Sequence, residues 1–515
     1  MINDVRKAVL LSLGERYVTV AIGVVQMAIV SRILSVEEIG LAALGMAVVQ
    51  LADALREFGV GNYLIQRREV TQDSGRTAFT FLLALSGLFF IGLVGAAGAL
   101  GSDNPDLRAF LAILAFGFLL APVSAPIIAM MRRNLQFGSL AVVNGSATIV
   151  QATALISLAW LGFGAMSFAW AAVTSAVAMA VTALAMRPDL IWIFRPSLAN
   201  WREALSFGGV ASLTGLVNRA YEMLPIFVLG RWFPLEAVGL YSRAVIVSQA
   251  PEKLLFASLA GVVLPVLSRE ARGGRPLASA YLSGLGYITV LQWPAYILVA
   301  LLAHPLVLVL LGEQWSGAVP IVQIIALASL LYFPAMLTYP TLVASGAARD
   351  ALTSSLIHLP IGALIVMAGA WWWGPTGLAA SQFLAMPLLV IVDLVFVRRR
   401  APFRWIEIAW AVRKSAVVAL ASAAAPTAIV LIGPEGLEPG FLAATAAVAG
   451  AGLGWFGAVM ATNHPIYNHI KAIAGAVARR LPVEITDFSV LRRNRSAHQA
   501  YAAKSFVRRK AEPTS

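Results

Sequence analysis

Apolar runs of about 18–28 residues recur along most of this chain, and runs of that length admit few folds. At 1.5 Å of rise per residue, such a run crosses a hydrocarbon layer of roughly 30 Å as a helix. Lipid offers no partners to open backbone groups, so a spanning segment is a helix or part of a closed barrel. The residue-by-residue alternation of barrel strands is absent, which leaves helices. Composition agrees, because 59% hydrophobic and 12% charged residues leave too little polar surface to disperse 515 residues in water. The expected fold is all-α and polytopic, with about fourteen transmembrane helices.

The spans are expected at 9–32, 39–56, 77–101, 107–131, 139–161, 164–186, 205–229 and 238–262. They continue at 279–311, 318–345, 352–373, 376–397, 415–433 and 439–461. The 279–311 run is overlong and calls for a bend near Pro294 or a loop near His304-Pro305. The start Met1-Ile-Asn-Asp-Val-Arg6-Lys7 leads into a retained first span rather than a cleaved signal.

Basic residues test that list. With the N-terminus inside, the inner segments collect Arg6, Lys7, Arg56, Arg67, Arg68, Arg76, Arg132, Arg133, Arg187, Arg195 and Arg202. Farther on they collect Arg269, Arg272, Arg275, Arg349, Arg398, Arg399, Arg400, Arg404, Arg413 and Lys414, then a basic tail. The outer segments hold Arg32, Arg108 and Arg231. The positive-inside rule then predicts an even number of spans with both ends cytoplasmic. Trp371-Trp372-Trp373 falls at an outer boundary, where an aromatic belt belongs.

Several chemistries are excluded. The chain has no cysteine, so disulfides, thiol catalysis and Cys-based metal sites are out. Its five histidines form no ligand pair. No Walker-type loop occurs, and the short outer loops hold no DxD pair of the sort a membrane glycosyltransferase needs. The expectation is a protein that is not an enzyme and has no cofactor, with proton or sodium coupling left open.

The chain also repeats itself. Arg32-Ile-Leu-Ser-Val-Glu37-Glu-Ile-Gly40-Leu41 matches Arg231-Trp-Phe-Pro-Leu-Glu236-Ala-Val-Gly239-Leu240, and each copy links one apolar run to the next. The register continues from Val48-Val49-Gln50 to Val247-Ser248-Gln249, and from Asp53 to Glu252. Six spans per copy insert both copies the same way up, giving two parallel six-helix lobes with a cavity between them, as in transporters. The expected division is 1–200, 201–400, an interfacial helix at 401–414 with a helix pair ending at 461, and a basic tail at 462–515.

Four stretches carry a resemblance. They are Ser31-Arg32-Ile33-Leu34-Ser35-Val36-Glu37-Glu38-Ile39-Gly40, Glu57-Phe58-Gly59-Val60-Gly61-Asn62-Tyr63-Leu64-Ile65-Gln66-Arg67, Val238-Gly239-Leu240-Tyr241-Ser242-Arg243-Ala244 and Leu311-Gly312-Glu313-Gln314-Trp315. Over roughly residues 1–400 the chain resembles the polysaccharide transporter family, oligosaccharide flippases of the multidrug/oligosaccharidyl-lipid/polysaccharide exporter superfamily. The resemblance implies translocation of undecaprenyl-pyrophosphate-linked oligosaccharide for exopolysaccharide, capsule or lipopolysaccharide synthesis, by alternating access. The partners implied are that lipid-linked oligosaccharide and a polysaccharide polymerase with its export machinery. A multidrug or cation antiporter, a peptidoglycan-precursor flippase and a non-transporting scaffold of a polysaccharide assembly complex stand as alternatives.

A charge inside a span costs about 2.5–3.5 kcal/mol on insertion scales, so each asks for a reason. Arg16 and Arg219 lie on the first helix of each lobe, where a guanidinium could hold a lipid pyrophosphate. Lys253 and Arg243 are further candidates for substrate binding. The bland readings stand beside these: Arg219 neutralises Glu222 at i,i+3, Arg16 snorkels, and Arg243 is structural. Asp53, Glu222 and Glu252 are candidates for ion coupling, set against simple neutralisation of Arg56 and Lys253. His358 is either a proton site or a packed polar residue. In the tail, Ile466, Ile470, Ile473, Val477 and Leu481 make an apolar stripe beside Lys471, Arg479 and Arg480, as on a helix lying on an anionic inner leaflet. Charge alone gives no case for nucleic acid, and the chain from Arg492 onward is expected to be disordered.

Overall fold

A computed structural model of the protein describes residues 2–56, 64, 71–100, 104–199, 202, 209–273, 276–434 and 436–478. Residues up to Ala458 form one compact unit; the described residues from Val459 onward belong to a second. The chain is all-α, and no strand occurs among the described residues. The helices are α1 (Ile2–Ile33), α2 (Val36–Arg56), α3 (Gln72–Leu100), α4 (Pro105–Arg133), α5 (Phe137–Trp160) and α6 (Met166–Met186). After a 3-10 turn at Pro188–Phe194 come α7 (Gly209–Trp232), α8 (Leu235–Ser248), α9 (Ala250–Arg272), α10 (Leu277–Leu301) and α11 (Ala303–Leu310). They are followed by α12 (Val319–Ser329), α13 (Ala335–Ala344), α14 (Ala348–Ala380), α15 (Gln382–Arg400), α16 (Trp405–Ile432), α17 (Phe441–Ala461) and α18 (Pro465–Ala478).

Among the described residues, 11 helices are long and apolar enough to cross a membrane. The segments expected as the seventh, eighth and twelfth spans are helical too, but charged or broken. Helix α7 carries Arg219, Glu222 and Arg231, and α15 carries Asp393 and ends in three arginines. The eighth breaks at Gln249, between α8 and α9, because Pro251 has no amide to continue the ladder. The overlong ninth run divides at Leu302, just before His304.

Helix α14 reverses direction within its assigned length. Trp373 leaves helical geometry and Gly374 takes φ +61°, a left-handed conformation that favours glycine. Gly369 and Gly377 then lie back to back across the hairpin, each leaving no room for a Cβ against the other's carbonyl. Residues 405–414, expected as a separate interfacial helix, are instead the first turns of α16. The Glu407 side chain accepts the backbone N–H of Arg404 at 3.0 Å at the start of that helix, and no breaker follows before Pro426.

The first half packs α1 on α5, α3 on α4, and α4 and α5 on α6; the second packs α7 on α14, α10 on α12, and α14 on α15. The halves meet where α2 lies against α7 and α8. Helices α16 and α17 dock on the second half, through Ser415 Oγ to the carbonyl of Gly286 and Trp455 Nε1 to that of Val290. Large apolar side chains such as Ile91, Leu420 and Leu442 remain exposed, the surface that a bilayer covers. In the second unit α18 is helical as expected. The Arg479–Leu481 end of its stripe and the tail from Arg492 lie outside the described residues, as does most of the Glu57–Arg67 stretch.

Candidate functional site

The repeat places two glycines at the crossing of the halves. A Cβ on Gly40 would collide with the carbonyl oxygen of Leu235, and one on Gly239 with that of Val36. Each contact is the image of the other when one copy of the repeat is exchanged for its partner. Around this crossing a single apolar cluster joins Met27, Val30, Leu34 and Ile39 of the first half to Leu229, Val238, Tyr241 and Trp315 of the second.

Polar bonds fasten the same end. A helix leaves its last carbonyls without internal partners. The carbonyl of Ser31, near the end of α1, accepts Trp315 Nε1 at 2.7 Å and also Gln314 Nε2. Gln314 Nε2 also reaches the carbonyl of Leu34 at 3.1 Å. In return Arg32 Nη2 donates to the carbonyl of Val309, near the end of α11, at 2.7 Å. Arg243 is buried here, its guanidinium 5.9 Å from the Phe168 ring and 6.0 Å from the Trp315 ring. The structure thus places Arg243 in this closure. Sequence reasoning singled out Leu311–Trp315 as a resemblance and missed its work, since its partners lie about 280 residues away.

At the opposite, arginine-rich end, the 3-10 turn is pinned by Arg76 Nε to the carbonyl of Trp192 at 3.3 Å and by Arg187 to Asp189 at 2.6 Å. The Arg187 hydrogen bonds hold the Asp189 carboxyl below the usual carboxylate range.

Between the two ends lie the other charged candidates. Arg219 Nη1 and Glu222 Oε2 form an exposed ion pair at 2.7 Å, as the i,i+3 spacing allows. Glu252 accepts Tyr296 Oη at 3.2 Å, and the adjacent Lys253 is exposed. Arg16 is exposed and makes no hydrogen bond or ion pair among the described residues, whereas the neighbouring Glu15 accepts Asn144 Nδ2 at 2.8 Å. Asp53 pairs with Arg56 at 3.0 Å.

That last pair belongs to a cavity of about 530 Å³ lined by α2 to α6 inside the first half. Asp53, Arg56, Ser124, Arg132, Asn144, Gln151 and Ser175 supply its polar lining. Pro122 and Pro126 interrupt the hydrogen-bond ladder of α4 beside it. Arg56 is 6% exposed and rests 5.9 Å from the Phe118 ring. Sequence reading saw Asp53 and Arg56 as neighbours on a helix, but five helices make the cavity. Among the described residues no cluster of three or more His, Asp or Glu could hold a metal ion.

Comparison with known proteins places this architecture. The model of a family described as polysaccharide biosynthesis protein matches residues 29–320. The lipopolysaccharide biosynthesis protein WzxC of Escherichia coli is 23% identical over 325 residues, 61% of this chain and 64% of WzxC. The match therefore spans less than two thirds of that relative. The succinoglycan biosynthesis transport protein ExoT of Rhizobium meliloti is 25% identical over 389 residues, 70% of this chain and 76% of ExoT. Among solved structures, the lipid II flippase MurJ in an inward closed conformation superposes with a TM-score of 0.70 at 11% identity, over 90% of this chain and 99% of MurJ. At that identity the likeness is one of fold. The family match covers the repeat, the Gly40–Gly239 crossing and the Gln314–Trp315 closure, and by it the chain belongs to the polysaccharide biosynthesis protein family.

Proposed function

We propose that this protein is a flippase that carries undecaprenyl-pyrophosphate-linked oligosaccharide across the bacterial inner membrane by alternating access of its two halves. The observation that carries the reading is the closure of one end. That end is sealed by the reciprocal glycine crossing and the Gln314–Trp315 bonds. In this reading the arginine-rich end, with both termini, faces the cytoplasm by the positive-inside rule. The sealed end then faces outward, and the state described is one closed to the outside. The family membership and the transport role in ExoT's name support the same reading.

Arg219 and Arg16 serve as anchors for the pyrophosphate, with Lys253 as an auxiliary cation. Arg219 exchanges its bond to Glu222 for phosphate oxygens, which a guanidinium binds through paired donors. The protein itself makes and breaks no covalent bond. The basic helix α18 rests on the anionic inner leaflet, and the polymerase and export machinery receive the product.

Complementation tests this. In a strain lacking the chromosomal copy, wild type restores surface polysaccharide, and Arg219→Ala at matched membrane level leaves lipid-linked intermediate on the cytoplasmic side. Normal export in the deletion strain would remove the flippase assignment.

A further inference from the structure

The second half encloses two titratable side chains that the translocation path does not use. His358 on α14 and Asp393 on α15 are 5% and 8% exposed. Asp393 Oδ1 accepts the Ser354 hydroxyl at 2.5 Å, one turn before His358. His358 Nδ1 stands 3.7 Å from that same oxygen and has no hydrogen-bond partner.

We propose that His358 and Asp393 form a proton-binding site that couples the conformational cycle to proton movement, an inference that rests on the transport reading above. A carboxylate left ionised inside a spanning helix costs about 2.5–3.5 kcal/mol on insertion scales. Among the described residues no lysine or arginine forms an ion pair with Asp393. The groups around the pair are Tyr281 of α10 and Tyr332 of the short turn after α12, both in electrostatic reach of Asp393. Neighbouring helices add Tyr221, Arg219 and Glu222 on α7, Tyr241 and Arg243 on α8, and Tyr339 on α13. The cations among them are engaged elsewhere, Arg219 with Glu222 and Arg243 over Trp315, and Arg400 at the end of α15 pairs with Asp350 at 2.8 Å. The imidazole is therefore the group placed to neutralise this carboxylate, and it does so with a proton.

With one proton the pair is neutral overall, as carboxylic acid beside imidazole or carboxylate beside imidazolium. Without it the pair holds one net negative charge in an apolar interior. The step is the making and breaking of one O–H or N–H bond, with water at either surface as source and sink. A metal cation is served less well. Hard cations take about six or more oxygen ligands, and the side chains here offer one carboxylate and one hydroxyl.

The pair is positioned to act on the centre. Helix α14 packs along α7, and a Cβ on Gly362 would lie 2.8 Å from Tyr221 Oη of α7. A shift of α14 on gain or loss of the proton therefore moves the helix that carries Arg219.

The test uses the full chain in lipid nanodiscs and in proteoliposomes. Infrared difference spectra across a pH titration show a carboxylic-acid band in wild type that Asp393→Asn removes, and His358→Gln shifts its midpoint by about one pH unit or more. In vesicles, an imposed pH gradient accelerates translocation by wild type, and the acceleration is lost in Asp393→Asn and His358→Gln. Spectra that do not differ between wild type and Asp393→Asn overturn the proposal, as does equal acceleration in the variants or a drive by sodium alone. An intact titration in vesicles that translocate nothing sinks the transport reading and leaves the proton site standing.

Discussion

Gly40 and Gly239, 199 residues apart, meet at the crossing of α2 and α8, each giving up its side-chain space to the backbone that opens the opposite helix. The sequence repeat is thereby a contact as well as a duplication. Any side chain at either position must push the two halves apart, since the obstacle is backbone and cannot swing away.

Gly40→Val and Gly239→Val are expected to be equally harmful, each costing about 1–3 kcal/mol as overpacking does. Gly215→Ala on α7, where nothing lies within 4 Å of the added carbon, is the neutral control. Thermal midpoints in detergent, compared across the three variants, check this. A difference between Gly40→Val and Gly239→Val as large as either effect would contradict the reciprocity.

The seal around the crossing depends on capping bonds from Gln314 and Trp315 to the end of α1. Trp315→Phe keeps an aromatic ring but removes the indole N–H, leaving the Ser31 carbonyl to Gln314 alone, a loss of about 0.5–1.5 kcal/mol. Since 1.4 kcal/mol is a factor of about ten, opening at this end rises by up to roughly tenfold. The chain has no native cysteine, so a cysteine at Ser31, with and without Trp315→Phe, reports the opening through an impermeant thiol reagent. Unchanged labelling would remove the latch role.

The Arg219–Glu222 pair separates structure from function. Both side chains are exposed, at 42% and 57%, and facing a water-filled path the pair contributes at most about 1 kcal/mol to stability. Arg219→Ala is therefore expected to leave the thermal midpoint nearly unchanged while export drops. Equal loss of both would make the arginine structural, and Glu222→Gln, which frees Arg219, should preserve export.

Much of this was legible in the sequence, and particular residues show where legibility stopped. Helices, the repeat and the Arg219–Glu222 contact follow from local patterns: apolar run length, register and i,i+3 spacing. The break at Gln249 was missed because Pro251 sits among apolar residues like the other in-span prolines. The His358–Asp393 pair joins two helices through the Trp373–Gly374 reversal, and no local periodicity records that register. The cavity around Asp53 and Arg56 was invisible for the same reason. It exists only when five helices have packed.

One pH effect lies outside the spans. Bonds from Arg187 hold the Asp189 carboxyl down, so their contribution is complete above an ordinary aspartate value of about 3.9 and fades as pH falls through the lower folded value. The pair is exposed on the Asp189 side, which keeps the contribution small. The midpoint difference between wild type and Asp189→Asn should shrink on acidification from neutral pH to below that range. A difference that grows would reverse the assigned sign.

The most direct measurement is translocation by the purified full chain. Vesicles carry undecaprenyl-pyrophosphate-linked oligosaccharide, and a membrane-impermeant glycosidase scores how much reaches the opposite leaflet. The account predicts transfer well above protein-free vesicles, abolished by Gly40→Val and strongly reduced by Arg219→Ala. Transfer no faster than in protein-free vesicles, by a folded chain under an imposed proton gradient, would contradict it.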